Sequence, residues 1–189
     1  MQIEDIYGEL PILETDRLVL RKLSLEDLED IYSYGSNQEV SKYVTWDTHL
    51  SSADTKQFLD FVLQQYENKK IAPWGIQYKE NGRLIGTIDF VWWKPAHKSA
   101  EIGYVLAPQY WGKGIATEAA KTIIKFGFTN MDLVRIQAQC FVDNKASARV
   151  MEKARMSFEG VLRKSMLVKG SHQDIMMYSV LKEEFSAWL

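Results

Sequence analysis

Hydrophobic positions along this chain of 189 residues recur with two periods, and each change of period marks an element. Arg17 to Lys22 alternate apolar and basic residues, the period of two that predicts a half-buried strand. Ser24 then precedes Glu26 and Asp27, which predicts a helix start with negative charge near the positive end of the helix; its apolar stripe is Leu25, Leu28, Ile31 and Tyr32. Ser51 or Ser52 caps a second helix with Phe58, Leu59, Val62 and Leu63 on one face. Trp74 to Tyr78 and Leu84 to Trp93 flank Glu80-Asn81-Gly82-Arg83, a hairpin signal built on Asn-Gly. Ala100 to Ala107 predicts another strand, stopped by Pro108. Gly114 to Phe128 carries Ala116, Ala119, Ala120, Ile123 and Ile124 at helical core spacing. A strand over Val134–Phe141, a helix over Lys145–Lys153 and a hairpin of Glu159–Val168 with Asp174–Leu181, turning around Gly170-Ser171-His172, complete the pattern.

The predicted order is one strand, two helices, three strands, a helix, a strand, a helix and two strands. It matches neither a doubly wound protein nor a sandwich. It fits an α/β (α+β) fold whose mixed, mostly antiparallel sheet of about seven strands carries helices on both faces. No repeat or Pro/Gly/Ser linker interrupts it, so residues 1–189 are expected to form a single domain.

Composition changes this picture little. A hydrophobic content of 46% supports a sizeable core. A net charge of −2 gives no basic field for nucleic acid. The single cysteine, Cys140, excludes an internal disulfide and fits a reducing compartment. The first residues are acidic where a secretory signal is basic, and no apolar run approaches a membrane span; Leu84 to Trp93 is strand-sized and contains Asp89. The expectation is a cytoplasmic protein without membrane or nucleic-acid partners, and the sequence is compatible with a homodimer.

The chemistry is concentrated between Glu101 and Ala119, where a strand feeds a loop bearing Gly112 and Gly114 that opens directly into a helix. Successive unpaired N–H groups at a helix start favour an anion, and glycines let a phosphate approach the backbone. Glycine spacing alone is equally consistent with a tight turn. Thr117 stands where a dinucleotide fingerprint needs a third glycine, and no Gly-Lys-Ser/Thr closes a nucleotidase phosphate loop. The Lys113 side chain is expected to be a solvated charge.

At these residues the chain resembles the GNAT superfamily of acetyltransferases. Gln109-Tyr110-Trp111-Gly112-Lys113-Gly114 matches the Gln/Arg-x-x-Gly-x-Gly/Ala pyrophosphate loop of that superfamily. The segments Glu14-Thr15-Asp16-Arg17-Leu18-Val19-Leu20-Arg21, Tyr110 to Gly114 with Ala116-Thr117-Glu118-Ala119, and Asn144-Lys145-Ala146-Ser147 leading to Met151-Glu152-Lys153 resemble its ribosomal-protein N-terminal acetyltransferase branch, in the expected order from about residue 14 to about residue 181.

The resemblance implies transfer of an acetyl group from acetyl-coenzyme A to a primary amine, without a metal. The leading acceptor is the N-terminal α-amine of a protein such as a ribosomal protein. The alternatives are a small amine (polyamine or aminoglycoside) and a non-catalytic acyl-coenzyme A binding module. It further implies a splayed cleft in which the pantetheine arm pairs with backbone of Tyr104, Val105 and Leu106. The pyrophosphate would rest on the loop after Gln109, on amides of Gly112, Lys113, Gly114, Ile115 and Ala116. Asn144 would hold the arm, cap the next helix, or both; Ser147 would protonate the departing thiolate, and an amide near Val105 would steady the oxyanion.

An attacking amine must lose a proton. Glu101 is the first candidate base, with a solvated strand-end carboxylate as the alternative. Asp89, an acid between Ile88 and Phe90, is the second unless alternation turns it to solvent. An acyl-Cys140 intermediate has no recognisable base beside it. His49, His97 and His172 lack ligand spacing, so no metal site is expected. Trp46, Trp92 and Trp93 fit an acceptor pocket and core packing equally. One departure from the family pattern stands at Arg155, where Gly usually ends the helix; an arginine in a left-handed cap costs on the order of 1 kcal/mol, and a reshaped exit is expected.

Overall fold

The computed structural model describes residues 1–186, in which one eight-stranded sheet runs in the order β1-β2-β3-β4-β5-β6-β8-β7. Its strands are β1 (Leu13–Glu14), β2 (Leu18–Arg21), β3 (Trp74–Tyr78), β4 (Leu84–Lys94), β5 (Ser99–Leu106), β6 (Arg135–Phe141), β7 (Ser157–Val168) and β8 (Ser171–Leu181). The helices are α1 (Ile3–Tyr7), α2 (Leu28–Gly35), α3 (Gln38–Ser41), α4 (Ser52–Glu67), α5 (Ile115–Asn130), α6 (Lys145–Lys153) and α7 (Lys182–Ser186). The seven anticipated strands are present; the eighth is the two-residue β1, too short to show a period.

Local signals act where they stand in the sequence, with small shifts. Ser24 opens a 3-10 turn over Leu25–Asp27 before α2 begins. The last hairpin turns at Lys169-Gly170, not at Gly170 to His172: both residues have positive φ, 49° and 77°. That is the two-residue turn whose twist matches the flanking strands. Arg155 corrects a second expectation. It adopts φ 60°, its N–H bonds Glu152 O, and Met156 N–H bonds Met151 O. This is the double closure normally made with glycine, so the helix exit is preserved, not reshaped.

Helices cover both faces. Gly127 of α5 lies against Ile136 and Phe90, and Phe126 packs edge-on to the fully buried Trp74 with ring centroids 5.8 Å apart. On the other face Tyr34 of α2 bonds Thr87, three residues from Phe90 and therefore turned the opposite way.

The feature that creates a site is a fork in the sheet. β5 and β6 form the parallel pair, and their pairing stops at Ile102 and Ala138 although β5 continues to Leu106 and β6 to Phe141. Each stays paired on its outer side, Leu106 with Gly86 and Phe141 with Ile175. The inner edges between them are open.

Candidate active site at the sheet fork

β5 carries the fork on one arm and delivers the glycine loop from its end. The loop is pinned to the strand by the Trp111 indole N–H, which donates to Leu106 O at 2.7 Å. Tyr110 packs edge-on to Tyr78 and accepts a bond at its hydroxyl from Asn81 at 2.9 Å, and the Lys113 ammonium lies 5.5 Å over the Tyr110 ring. Gly112 and Gly114 have φ of 72° and 76°, which glycine adopts without strain. A Cβ at Gly112 would meet nothing of the protein within 4 Å, so the positive φ accounts for the glycine within the chain and the space beside it is open to a ligand. Gly114 is the N-cap of α5, and no side chain caps that helix. The amides of the first turn are therefore left without a capping side chain.

Across the fork, Asn144 caps α6 by accepting from Ser147 N–H at 3.1 Å. Ser147 faces β5: its Oγ lies 2.9 Å from the Tyr104 hydroxyl, which is also 3.1 Å from Ser147 O. Burial pushes the Tyr104 phenol above its ordinary range. Cys140 on β6 joins the same cluster through Ser147, and burial raises its thiol to about 11 against the opposing effect of that hydroxyl. Such a thiol stays protonated at neutral pH and is a poor nucleophile. Tyr104, Cys140, Asn144 and Ser147 are thus brought together on the α6 face.

The opposite face holds two carboxylates. Glu101 is only 5% exposed, yet it is not a solvated strand-end acid. Its Oε2 accepts from Gln137 at 2.8 Å and its Oε1 from Gln139 at 2.9 Å, so both oxygens are engaged. Asp89 pairs in register with Gly103, the first β5 residue beyond the fork. A Cβ at Gly103 would stand 3.3 Å from Asp89 Oδ1; glycine leaves that carboxylate uncovered. Asp89 keeps an opening to solvent but is ringed by protein. Burial, then the charge of Glu101, raises its pKa to about 7. The other titratable groups that feel it are the phenols of Tyr7 and Tyr66.

Gln137 and Gln139 had no distinguishing signal in the sequence, because their roles depend on Glu101 of another strand. The three tryptophans separate: Trp93 is buried, whereas Trp46 stacks on His49 and Trp92 carries Lys94 over its ring.

The arrangement matches known proteins. The sequence profile of the acetyltransferase (GNAT) domain matches residues 17–157. The uncharacterized N-acetyltransferase YoaA of Bacillus subtilis is 38% identical over 91% of this chain and 97% of its own. YdaF of the same organism, whose name assigns it provisionally to ribosomal N-acetylation, is 30% identical over 90% and 94%. The microcin C7 self-immunity acetyltransferase MccE, solved with acetyl-coenzyme A and AMP, superposes with a TM-score of 0.78 at 27% identity, covering 88% of this chain and 93% of that one. The fork, the uncapped start of α5 and these relatives agree: this chain belongs to the GNAT family and is an acetyl-coenzyme A-dependent N-acetyltransferase.

Proposed function

We propose that the acceptor is the N-terminal α-amine of a cytoplasmic protein, and that it enters from the face carrying Asp89 and Glu101. Acetyl-coenzyme A lies in the fork. Its pyrophosphate rests on the amides of Gly112, Lys113, Gly114, Ile115 and Ala116 after Gln109, and its arm runs along Tyr104, Val105 and Leu106 beside Asn144. This places the thioester at the apex, between Ser147 on one face and Asp89 on the other. Glu101, held by two glutamines, acts as a fixed anion: it raises Asp89 and attracts the ammonium. Asp89 accepts the proton, the amine attacks the acetyl carbon, the amide near Val105 steadies the oxyanion, and Ser147 protonates the departing thiolate.

The observation that carries the catalytic reading is Asp89, which stands beside Gly103 at the apex of the fork with its carboxyl raised to about 7. The resemblance to the ribosomal-protein branch and the likeness to YdaF support a protein N-terminus as the acceptor.

The test is mass spectrometry of a cell extract incubated with the enzyme and labelled acetyl-coenzyme A. Label on a protein N-terminus is expected; label confined to polyamines or aminoglycosides would overturn the acceptor. The catalytic assignment is read from the pH dependence of kcat/KM. Its acid limb should lie near pH 7 and move lower in Glu101→Gln, which removes the charge that raises Asp89; in Asp89→Asn most of kcat should be lost and the limb should move up to the ionisation of the acceptor amine itself. An unchanged limb in Asp89→Asn would return the role to Glu101 or to water.

A further inference from the structure

The glycine loop is held from outside, by the segment that enters β2. The Arg17 guanidinium donates through Nη1 to Lys113 O at 3.0 Å, and through Nε and Nη2 to Glu118 Oε2 at 2.7 and 2.5 Å. The other carboxylate oxygen, Oε1, takes the Thr15 hydroxyl at 2.5 Å and the Arg17 backbone N–H at 3.3 Å. Thr15 is itself fixed, its Oγ accepting from Leu18 N–H at 2.9 Å. Arg17 Nη2 is 3.7 Å from where a Cβ of Gly114 would stand, so the guanidinium lies beside the first turn of α5.

Two consequences follow for an anion on the loop. A peptide unit is planar and trans, so its C=O and N–H point in opposite directions. By holding the Lys113 carbonyl, Arg17 fixes the Gly114 N–H on the side away from itself. Released, that carbonyl could turn its oxygen toward a phosphate and withdraw an amide. The second consequence concerns charge. Glu118 sits in the first turn of the helix whose N-terminus faces the coenzyme. Unpaired, its carboxylate would repel a diphosphate over a short distance. Burial opposes its ionisation, but the bonds from Thr15 and Arg17 outweigh that and lower its pKa, so the charge is present and is neutralised in place.

We propose that Arg17 is a positioning residue for the coenzyme's diphosphate: it orients the Gly114 amide through the Lys113 carbonyl and cancels the charge of Glu118. This rests on the glycine loop being the diphosphate site. The Arg17 side chain is 41% exposed and Glu118 21%, so the network lies at the loop's surface, where its effect on the coenzyme can be separated from its effect on folding.

A substrate without the diphosphate separates positioning from structure. S-acetylpantetheine keeps the thioester and the arm and lacks everything the loop would hold. Arg17→Ala is expected to raise the KM for acetyl-coenzyme A about tenfold or more, with kcat near wild type and kcat/KM for S-acetylpantetheine within about twofold. Adding Glu118→Gln to Arg17→Ala should restore part of the affinity, because the uncompensated charge is gone while the carbonyl remains free. Arg17→Lys keeps the charge and most of the packing but loses the fork, and should fall between wild type and Arg17→Ala. Equal losses with both substrates in Arg17→Ala and Arg17→Lys would make the contact merely structural and overturn the inference. A wild-type preference for acetyl-coenzyme A that survives intact in Arg17→Ala would overturn it as well, leaving the loop assignment standing. A wild-type enzyme that used both substrates equally would instead defeat the loop assignment itself.

Discussion

In the proposed reaction Asp89, Ser147 and Cys140 each take their properties from the groups that face them. Asp89 is held near neutrality by burial and by Glu101, a state that disfavours its ionised form in the fold. The sign is fixed by linkage. Between the ordinary carboxylate range and about pH 7 the unfolded chain has released a proton that folded Asp89 retains, so stability falls as pH rises through that window. Asp89→Asn should therefore be more stable than wild type at pH 8 and indistinguishable at pH 4, while losing turnover. Urea denaturation at the two pH values reads the difference, and a variant no more stable at pH 8 would show that Asp89 is not strained. Ser147 and Cys140 make the opposite pair. Ser147→Ala should lower kcat more than it raises the KM for acetyl-coenzyme A. Cys140→Ala should keep most activity, since its protonated thiol fits direct attack in a ternary complex; an isolable acyl-Cys140 would count against that mechanism.

At the scale of elements, helix ends carry the function and the strain. α5 begins without a side-chain cap at Gly114, and its first amides are the proposed diphosphate site. Gly112→Val and Gly114→Val should each weaken coenzyme A binding severely, measured by calorimetry on folded protein. For Gly112 the effect cannot come from a clash within the chain, because a Cβ there meets open space; any loss beyond backbone strain reports the ligand. α6 ends at the other extreme, with Arg155 in a conformation that glycine adopts freely. Arg155→Gly is expected to stabilise the protein by up to about 1 kcal/mol of backbone relief. A fall in the denaturation midpoint would mean that the arginine side chain contributes more than its backbone loses.

In the whole molecule, the fork exists because two strands are gripped from outside and released within. β4 holds β5 so closely at Gly86 that an added Cβ would collide with the Val105 carbonyl. Gly86→Ala should cost roughly 1–3 kcal/mol, as overpacking does, and should push β5 toward the coenzyme, raising the acetyl-coenzyme A KM along with the stability loss. A destabilised variant with unchanged KM would show that the width of the fork does not depend on this contact.

The sequence by itself determined the elements, because period, caps and turn residues act over a few positions. Ser51, Asn81-Gly82, Pro108 and Asn144 stand where the structure turns or begins a helix. It also exposed the glycine loop, whose residues adjoin in the chain. Short pieces such as β1 and α3 escaped it, being less than one full period long. What only the tertiary structure decided are relations between distant residues. Pairing of β5 with β6 stops at Ile102, Glu101 is saturated by two glutamines from β6, Asp89 stands over Gly103, and Arg17 reaches Glu118 across 101 positions. Hydrophobic period tells a strand which face to bury but not which neighbour to take or where to let it go. Charge, burial and hydrogen bonding at the fork follow from that choice, and they leave Glu101 held by two glutamines and Asp89 raised to about 7.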